Sequence, residues 1–227
     1  MRHTIADTAA IVFAKAPLPG TVKTRLVPRL GAEGAAALHA RLVKHTLSTV
    51  REAGFRNVQL HGAPADDPFL RFCASRYGAS LSEQCAGDLG MRMHHAFEHV
   101  LGAAGALLIG SDCPALTARH LRQGARTLAQ GADAVLVPAE DGGYALIGLT
   151  RAEFRVFEAV QWGTERVLDQ TRDRLRELGW RWVELDTLWD VDRDADYERL
   201  MTSGLLDRPF AAEAVRSPQD SGTSDTF

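Results

Sequence analysis

The chain has 227 residues and a formal net charge of -3, with an isoelectric point near 6.2. No global field therefore draws it to nucleic acid or anionic lipid, and any anion must be held by a local site. Hydrophobic residues make up 45% and charged residues 24%, the balance of a folded globular domain, and the length suits one core better than two. Cys73, Cys85 and Cys113 show no CxxC or CxxH spacing, and no apolar run reaches the roughly eighteen residues of a membrane span, which excludes a disulfide framework, a structural zinc and a transmembrane helix.

The N-terminus imitates a short secretory signal, with "MRH", the apolar "AAIVFA" and an A-x-A site. Asp7 interrupts the apolar region, and cleavage after Ala16 would remove a strand together with Lys15, so the expected location is the cytoplasm. Ala9 to Ala16 reads as a strand buried on both faces, as in a parallel sheet. Residues 32–54 follow as a helix, with Leu38, Leu42, Val43, Leu47 and Val50 at helical spacing and Gly54 as its stop. Strands are expected at 57–62, 79–84, 105–110 and 132–139, and helices at 67–78, 88–102 and 117–131. "GGYALIGLT" is a further strand, with an antiparallel placement as one option. Residues 164–179 form a helix, "WRWVELDTLWDVD" a returning strand and "DADYERLM" a short helix. This alternation predicts an α/β fold: a three-layer α/β/α sandwich around a mostly parallel sheet. One domain is expected over residues 1–206. From Asp207 the composition turns to Pro, Ser, Asp, Gly and Thr, which predicts a disordered tail over 207–227.

In open α/β sheets ligands bind at the carboxyl ends of the strands, so the residues where apolar runs stop are the informative ones. After the first strand, Pro17, Pro19 and Gly20 limit a loop that carries Lys23, Thr24 and Arg25, with Lys15 just before it. Such a loop suits a polyphosphate; the alternative is a solvated basic loop. It lacks the GxxxxGK[ST] spacing of a Walker loop. In "GSDCP", Asp112 stands just past the apolar "ALLI", after Gly110 and Ser111, and is placed to hold Mg²⁺, which takes only one or two protein carboxylates besides substrate phosphates. Its alternative is a helix N-cap, for which Thr117 stands better placed. Cys113 has no base beside it and reads as a buried structural thiol. In "PAEDGG", Glu140 or Asp141 faces the cleft while Gly142 and Gly143 allow a tight turn, and the same residues also make an ordinary turn. Asp190 and Asp192, two apart on the expected last strand, would share a face and supply a second metal carboxylate; a charged edge strand is the alternative. The histidines lack metal-ligand spacing and read as structural or exposed.

Taken in order, "FAKAPLPGTVKTRL", "GDLGMRM", "LLIGSDCPAL", "PAEDGGYALIGL", "QWGTERVL" and "WDVDRDADYERL" resemble the bacterial selenodomain-associated transferase 1 family. These proteins are also labelled arsenosugar-biosynthesis glycosyltransferases, within the nucleotide-diphospho-sugar transferase (GT-A, Rossmann-like) superfamily. More distantly the chain is similar to 2-phospho-lactate guanylyltransferase and the molybdenum-cofactor guanylyltransferases. The resemblance spans about Ala9 to Leu200. It implies that Lys15, Pro17, Gly20, Lys23, Thr24 and Arg25 face the phosphates, that Gln84, Gly87 and Asp88 read the base, and that Asp112 and Asp192 hold Mg²⁺ or Mn²⁺. Asp141, Gly142, Gly143, Trp162 and Thr164 would face the acceptor, with Lys23, Arg25, Asp112 and Asp141 as the catalytic group. The family's "WST" is "WGT" here, so a hydroxyl at position 163 is absent. "GSDCP" carries one Asp rather than the DxD of many glycosyltransferases.

The expected activity is Mg²⁺-dependent nucleotidyl transfer from an NTP to a small anionic acceptor, with pyrophosphate released. A basic loop favours this, because a triphosphate carries more charge than a nucleotide sugar. Glycosyl transfer from a nucleotide sugar is the alternative, and a non-catalytic nucleotide-binding module the third. The expected partners are a nucleotide and a small-molecule acceptor, with no nucleic acid and no membrane.

Overall fold

The computed structural model describes residues 7–100 and 104–206. The first apolar run becomes β1 (Ala9–Lys15), buried throughout except at Lys15. Its side chains alternate: Ala10, Val12 and Ala14 enter one core, while Ile11 and Phe13 enter another on the opposite face. Around β1 lie β2 (Asn57–Ala63), β3 (Ser80–Glu83), β4 (Ala106–Gly110), β5 (Ala134–Pro138), β6 (Tyr144–Leu149) and β7 (Trp182–Glu184), in the order β3-β2-β1-β4-β6-β5-β7. β6 runs antiparallel to β4 and β5, and the other pairings are parallel. The helices are α1 (Val27–Ala53), α2 (Pro68–Tyr77), α3 (Leu89–Val100), α4 (Ala118–Ala129), α5 (Val167–Glu177) and α6 (Asp194–Ser203).

Val43 and Leu47 of α1, Leu70 of α2 and Leu121 of α4 fill the core on one face of the sheet. Met93 and Phe97 of α3 and Leu168 and Leu175 of α5 fill the other, giving the three layers expected. Beyond α1, Leu26, Leu38 and Leu42 meet Trp189, Val191 and Leu200 in a third cluster. That cluster draws the C-terminal segment back over the ends of β1 and β4. The chain leaves β1 toward β2 on one side and β4 toward β5 on the other, so their carboxyl ends flank a crevice.

Three expectations need correction. α1 opens at Val27 rather than Ala32, with Pro28 in its first turn, although Gly31 (φ 70, ψ 167) breaks the helical path so that the regular helix begins after it. α5 starts at Val167 rather than Thr164, because the Thr164 hydroxyl donates to Gln161 O (2.8 Å) and accepts from Arg166 N (3.3 Å), which keeps this stretch in a turn. The expected strand from Trp180 to Asp192 shrinks to β7 and a lone bridge between Leu188 and Ala139. Leu185 and Leu188 both pack against the same core, which residues three apart on a period-two strand do not do. Asp190 and Asp192 therefore lie in irregular chain and owe their proximity to its path. The expected tail at 207–227 lies outside the described residues. Among the described residues no helix is long and apolar enough to cross a membrane.

Candidate active site

At the carboxyl ends of β1, β4 and β5 the sheet opens into a cleft of about 1140 Å³ whose walls include Arg25, Asp112, Asp141, Trp162, Asp190 and Asp192. Arg25 follows β1, Asp112 follows β4, Asp141 lies between β5 and β6, Trp162 precedes α5, and Asp190 and Asp192 share the irregular chain before α6. Lys23, with a left-handed backbone (φ 48, ψ 40), points inward from the loop after β1. Its ammonium sits 2.8 Å from Asp112 Oδ1 and donates to Val191 O at 2.6 Å, with only 5% of the side chain exposed. Lys23 is thus a buried tie among three segments rather than a free cation at the mouth of the cleft. Arg25, two residues on, is open to solvent and pairs with Asp192.

Asp112 stands just beyond β4. The helix N-cap is Thr117, whose side chain accepts from His120 N, so Asp112 is not spent on capping. Its Oδ1 is enclosed by Lys23 and by the His39 ring, 3.7 Å away, while about half of the side chain remains exposed. Burial opposes its ionisation, but the Lys23 ammonium and then the His39 ring outweigh burial and hold the carboxyl far below the usual range. His39 is itself anchored, its Nε2 donating to Lys15 O at 3.0 Å. Cys113 is buried, and burial pushes its thiol up to about 12, which suits a structural thiol and not a nucleophile.

The opposite wall is the β5–β6 hairpin. Asp141 Oδ1 accepts from Gly143 N at 2.9 Å, and Gly142 N donates to Ala139 O at 3.1 Å. Gly142 has φ +87, and a Cβ there would lie 2.2 Å from Glu165 O. The glycine lets the hairpin touch the 160s loop, where Leu168 N donates to Gly142 O. That contact brings Trp162 and Thr164 to the cleft. Glu140 and Asp141 both line it, with the Glu140 carboxylate held by Arg199 at 2.8 Å.

Asp190 reports the electrostatic character of the cleft. Burial, then the nearby Asp141 and Asp112 carboxylates, push it up to about 6 against the pull of its own backbone contact and of Lys23. Carboxylates gathered this way invite a cation. Among the described residues no three His, Cys, Asp or Glu side chains gather closely enough to chelate a metal by themselves. One or two carboxylates completed by phosphate oxygens and water is the usual arrangement for Mg²⁺, and Asp112 with Asp190 or Asp192 fits that arrangement and not an all-protein cage.

The cleft thus gathers Arg25, Asp112, Asp141, Gly142, Gly143, Trp162, Thr164 and Asp192, with Lys23 directly behind Asp112. It does not gather Lys15, Pro17, Gly20, Thr24, Gln84, Gly87 or Asp88, although the neighbouring Leu89 lines it. Gln84 donates to His61 O at 2.9 Å. Asp88 accepts from Met91 N at 2.9 Å, at the start of α3. Sequence reasoning missed His39, Tyr144, Glu165 and Trp189. His39 alone left a signal, a polar side chain on the apolar stripe between Leu38 and Leu42.

The family described as "Uncharacterized protein conserved in bacteria (DUF2064)" matches residues 46–164, from the middle of α1 to the 160s loop. The chain belongs to the DUF2064 family. No protein of curated function matches it. Among solved structures, a candidate nucleotide-diphospho-sugar transferase from Desulfovibrio desulfuricans superposes on this DUF2064 chain with a TM-score of 0.79 at 29% identity, over 88% of each chain. The inositol-1-phosphate CTP transferase from T. maritima gives 0.59 at 13% identity, over 89% of this chain and 96% of that one. Rv0371c from Mycobacterium tuberculosis, in complex with manganese, gives 0.53 at 19%, over 86% and 99%. The fold of this DUF2064 member is that of the nucleotide-diphospho-sugar transferases, and the chain is a transferase.

Proposed function

We propose that this protein is a divalent-cation-dependent transferase acting on a nucleotide, with nucleotidyl transfer from an NTP as its reaction. One observation carries the reading: at the two strand ends flanking the crevice, a basic loop meets carboxylates, Lys23 beside Asp112 and Arg25 beside Asp192. An acceptor oxygen would attack the α-phosphorus, the bond to the bridging oxygen would break, and pyrophosphate would leave. Asp112 and Asp192 would hold Mg²⁺ or Mn²⁺, which acts when bound as a Lewis acid on the phosphoryl oxygens. Arg25 and the loop from Lys15 to Thr24 orient the phosphates, Lys23 keeps Asp112 ionised and aimed, and Asp141 faces the acceptor. Gln84, Gly87 and Asp88 are the proposed readers of the base. One domain over residues 1–206 carries the site, and a cytoplasmic setting, where thiols such as Cys113 stay reduced, suits nucleotide chemistry.

The test is pyrophosphate release from each NTP in Mg²⁺. We expect turnover with one base, reduced at least about 100-fold in Asp112→Asn, the scale on which a lost charge-stabilising group acts. No pyrophosphate from any NTP, with or without candidate acceptors, would sink nucleotidyl transfer. A specific observation favours a second reading, glycosyl transfer to a neutral hydroxyl acceptor: the acceptor side carries Asp141, Glu165, Trp162 and Thr164, and the basic lining residues are Arg25 and Arg193. That wall repels an anionic acceptor. The arsenosugar-glycosyltransferase resemblance points the same way. Consumption of a UDP- or GDP-sugar in the same assay, without pyrophosphate, would decide for it.

A further inference from the structure

The loop after β1 offers two cations, the cleft offers two proposed metal carboxylates, and the structure pairs them one to one. The two pairs are not equivalent. Lys23 is 5% exposed and is also bound to Val191 O, so moving it would strip partners from two polar atoms. Arg25 is 62% exposed, and its partner Asp192 is 37% exposed. Exposed pairs of this kind hold together weakly and exchange partners readily. A cation arriving at Asp192 competes directly with the Arg25 guanidinium, and a guanidinium released there stands at the edge of the same cleft with a planar fork suited to phosphate.

We propose that Arg25 is an exchangeable counter-charge, held by Asp192 in the free protein and turned onto the phosphates of the nucleotide when a divalent cation takes Asp192. The inference rests on the reading that Asp192 is a cation ligand. Its consequence is thermodynamic: cation and polyphosphate each bind weakly alone, because each must break the Arg25–Asp192 pair, and each strengthens the other by the same factor. Arg25 is then a positioning group for the cation site as well as a phosphate ligand, and Lys23 a fixed element that stays with Asp112 in both states.

The experiment uses the full chain and two probes, Mn²⁺ alone and inorganic pyrophosphate in excess Mn²⁺, with affinities measured by calorimetry. Arg25→Gln should tighten Mn²⁺ alone by about three- to fivefold, the scale of an exposed ion pair. It should weaken pyrophosphate by about tenfold, the loss of one charge-assisted contact. In the Asp192→Asn background, Arg25→Gln should no longer tighten Mn²⁺, which isolates the pair from a general change of charge. Equal tightening in both backgrounds would overturn the exchange. So would unchanged Mn²⁺ affinity in Arg25→Gln while Asp112→Asn and Asp192→Asn still weaken it, and the cation site would then stand without the exchange. Mn²⁺ binding indifferent to both Asp112→Asn and Asp192→Asn would overturn the cation site and the exchange together.

Discussion

Lys23 and Arg25 are two residues apart on one loop, and each meets an aspartate of the same cleft, yet they belong to different parts of the molecule's physics. Lys23 is enclosed, bonded to Asp112 and to Val191 O, and fixes the end of β1 to the end of β4 and to the returning C-terminal segment. Arg25 lies in solvent, with a single acidic partner among the described residues at its tip. The same charge is therefore structural in one case and available in the other. A sequence shows two cations; only burial tells which one can leave its partner for a ligand.

The largest effect expected from breaking this contrast is at Lys23. Lys23→Met leaves Asp112 Oδ1 and Val191 O enclosed without their cation and should cost about 3 kcal/mol by denaturant unfolding, the lower end for a broken buried pair because Asp112 is half exposed. The acid side should change with it. The folded Asp112 carboxyl is held below its unfolded value of about 4, so the pair's contribution is complete above that pH and fades as pH falls from there to the lower folded value. In Lys23→Met the loss of stability on acidification should therefore contain less of this component, read from unfolding curves between pH 7 and pH 2.

Next in size is the opposite wall. Gly142→Ala combines a positive φ with a Cβ that would lie 2.2 Å from Glu165 O. It should destabilise by about 2 kcal/mol and impair turnover by moving the 160s loop with Trp162. Smaller again is Asp190, whose folded carboxyl is raised to about 6. A raised carboxyl makes stability fall as pH climbs from about 4 to about 6, since the unfolded chain releases the proton first. Asp190→Asn should flatten that segment of the profile and leave the Lys23→Met effect at low pH intact. The smallest effect belongs to Arg25: Arg25→Gln should change stability by no more than about 0.5 kcal/mol while altering ligand affinities. A loss as large as that of Lys23→Met would erase the distinction between the two pairs.

The sheet and the strand endings were legible because burial on both faces writes continuous apolar runs into a sequence. "ALLIG" followed by Asp112, and "AVLVP" followed by Asp141, mark where a core stops and a cleft begins. The antiparallel β6 was open to that reading only as one option, since a strand's pattern records its two faces and not its direction. Local signals fall short where a distant contact decides. Nothing near Lys23 in sequence announces its contact with Val191, 168 residues away. Gln84 and Asp88, the proposed readers of the base, also hold local structure, Asp88 at the start of α3 and Gln84 against β2. Asp190 and Asp192 were assigned to one strand face and reach the cleft by a different path, set by Leu185 and Leu188 turning into one core. His39 was passed over because its partner, Asp112, is brought to it only by the packing of α1 along the sheet.

The central claim is that this cleft binds a nucleotide together with a divalent cation through Asp112. Its most direct test is the shift in unfolding temperature of the full chain across NTPs and nucleotide sugars, with and without Mg²⁺, for the wild type and Asp112→Asn. A ligand that binds only the folded state raises the midpoint, by an amount that grows with the logarithm of its concentration over its Kd. The account predicts a rise that requires Mg²⁺, selects one base and disappears in Asp112→Asn. A rise of equal size without Mg²⁺, or one that survives Asp112→Asn, would contradict it.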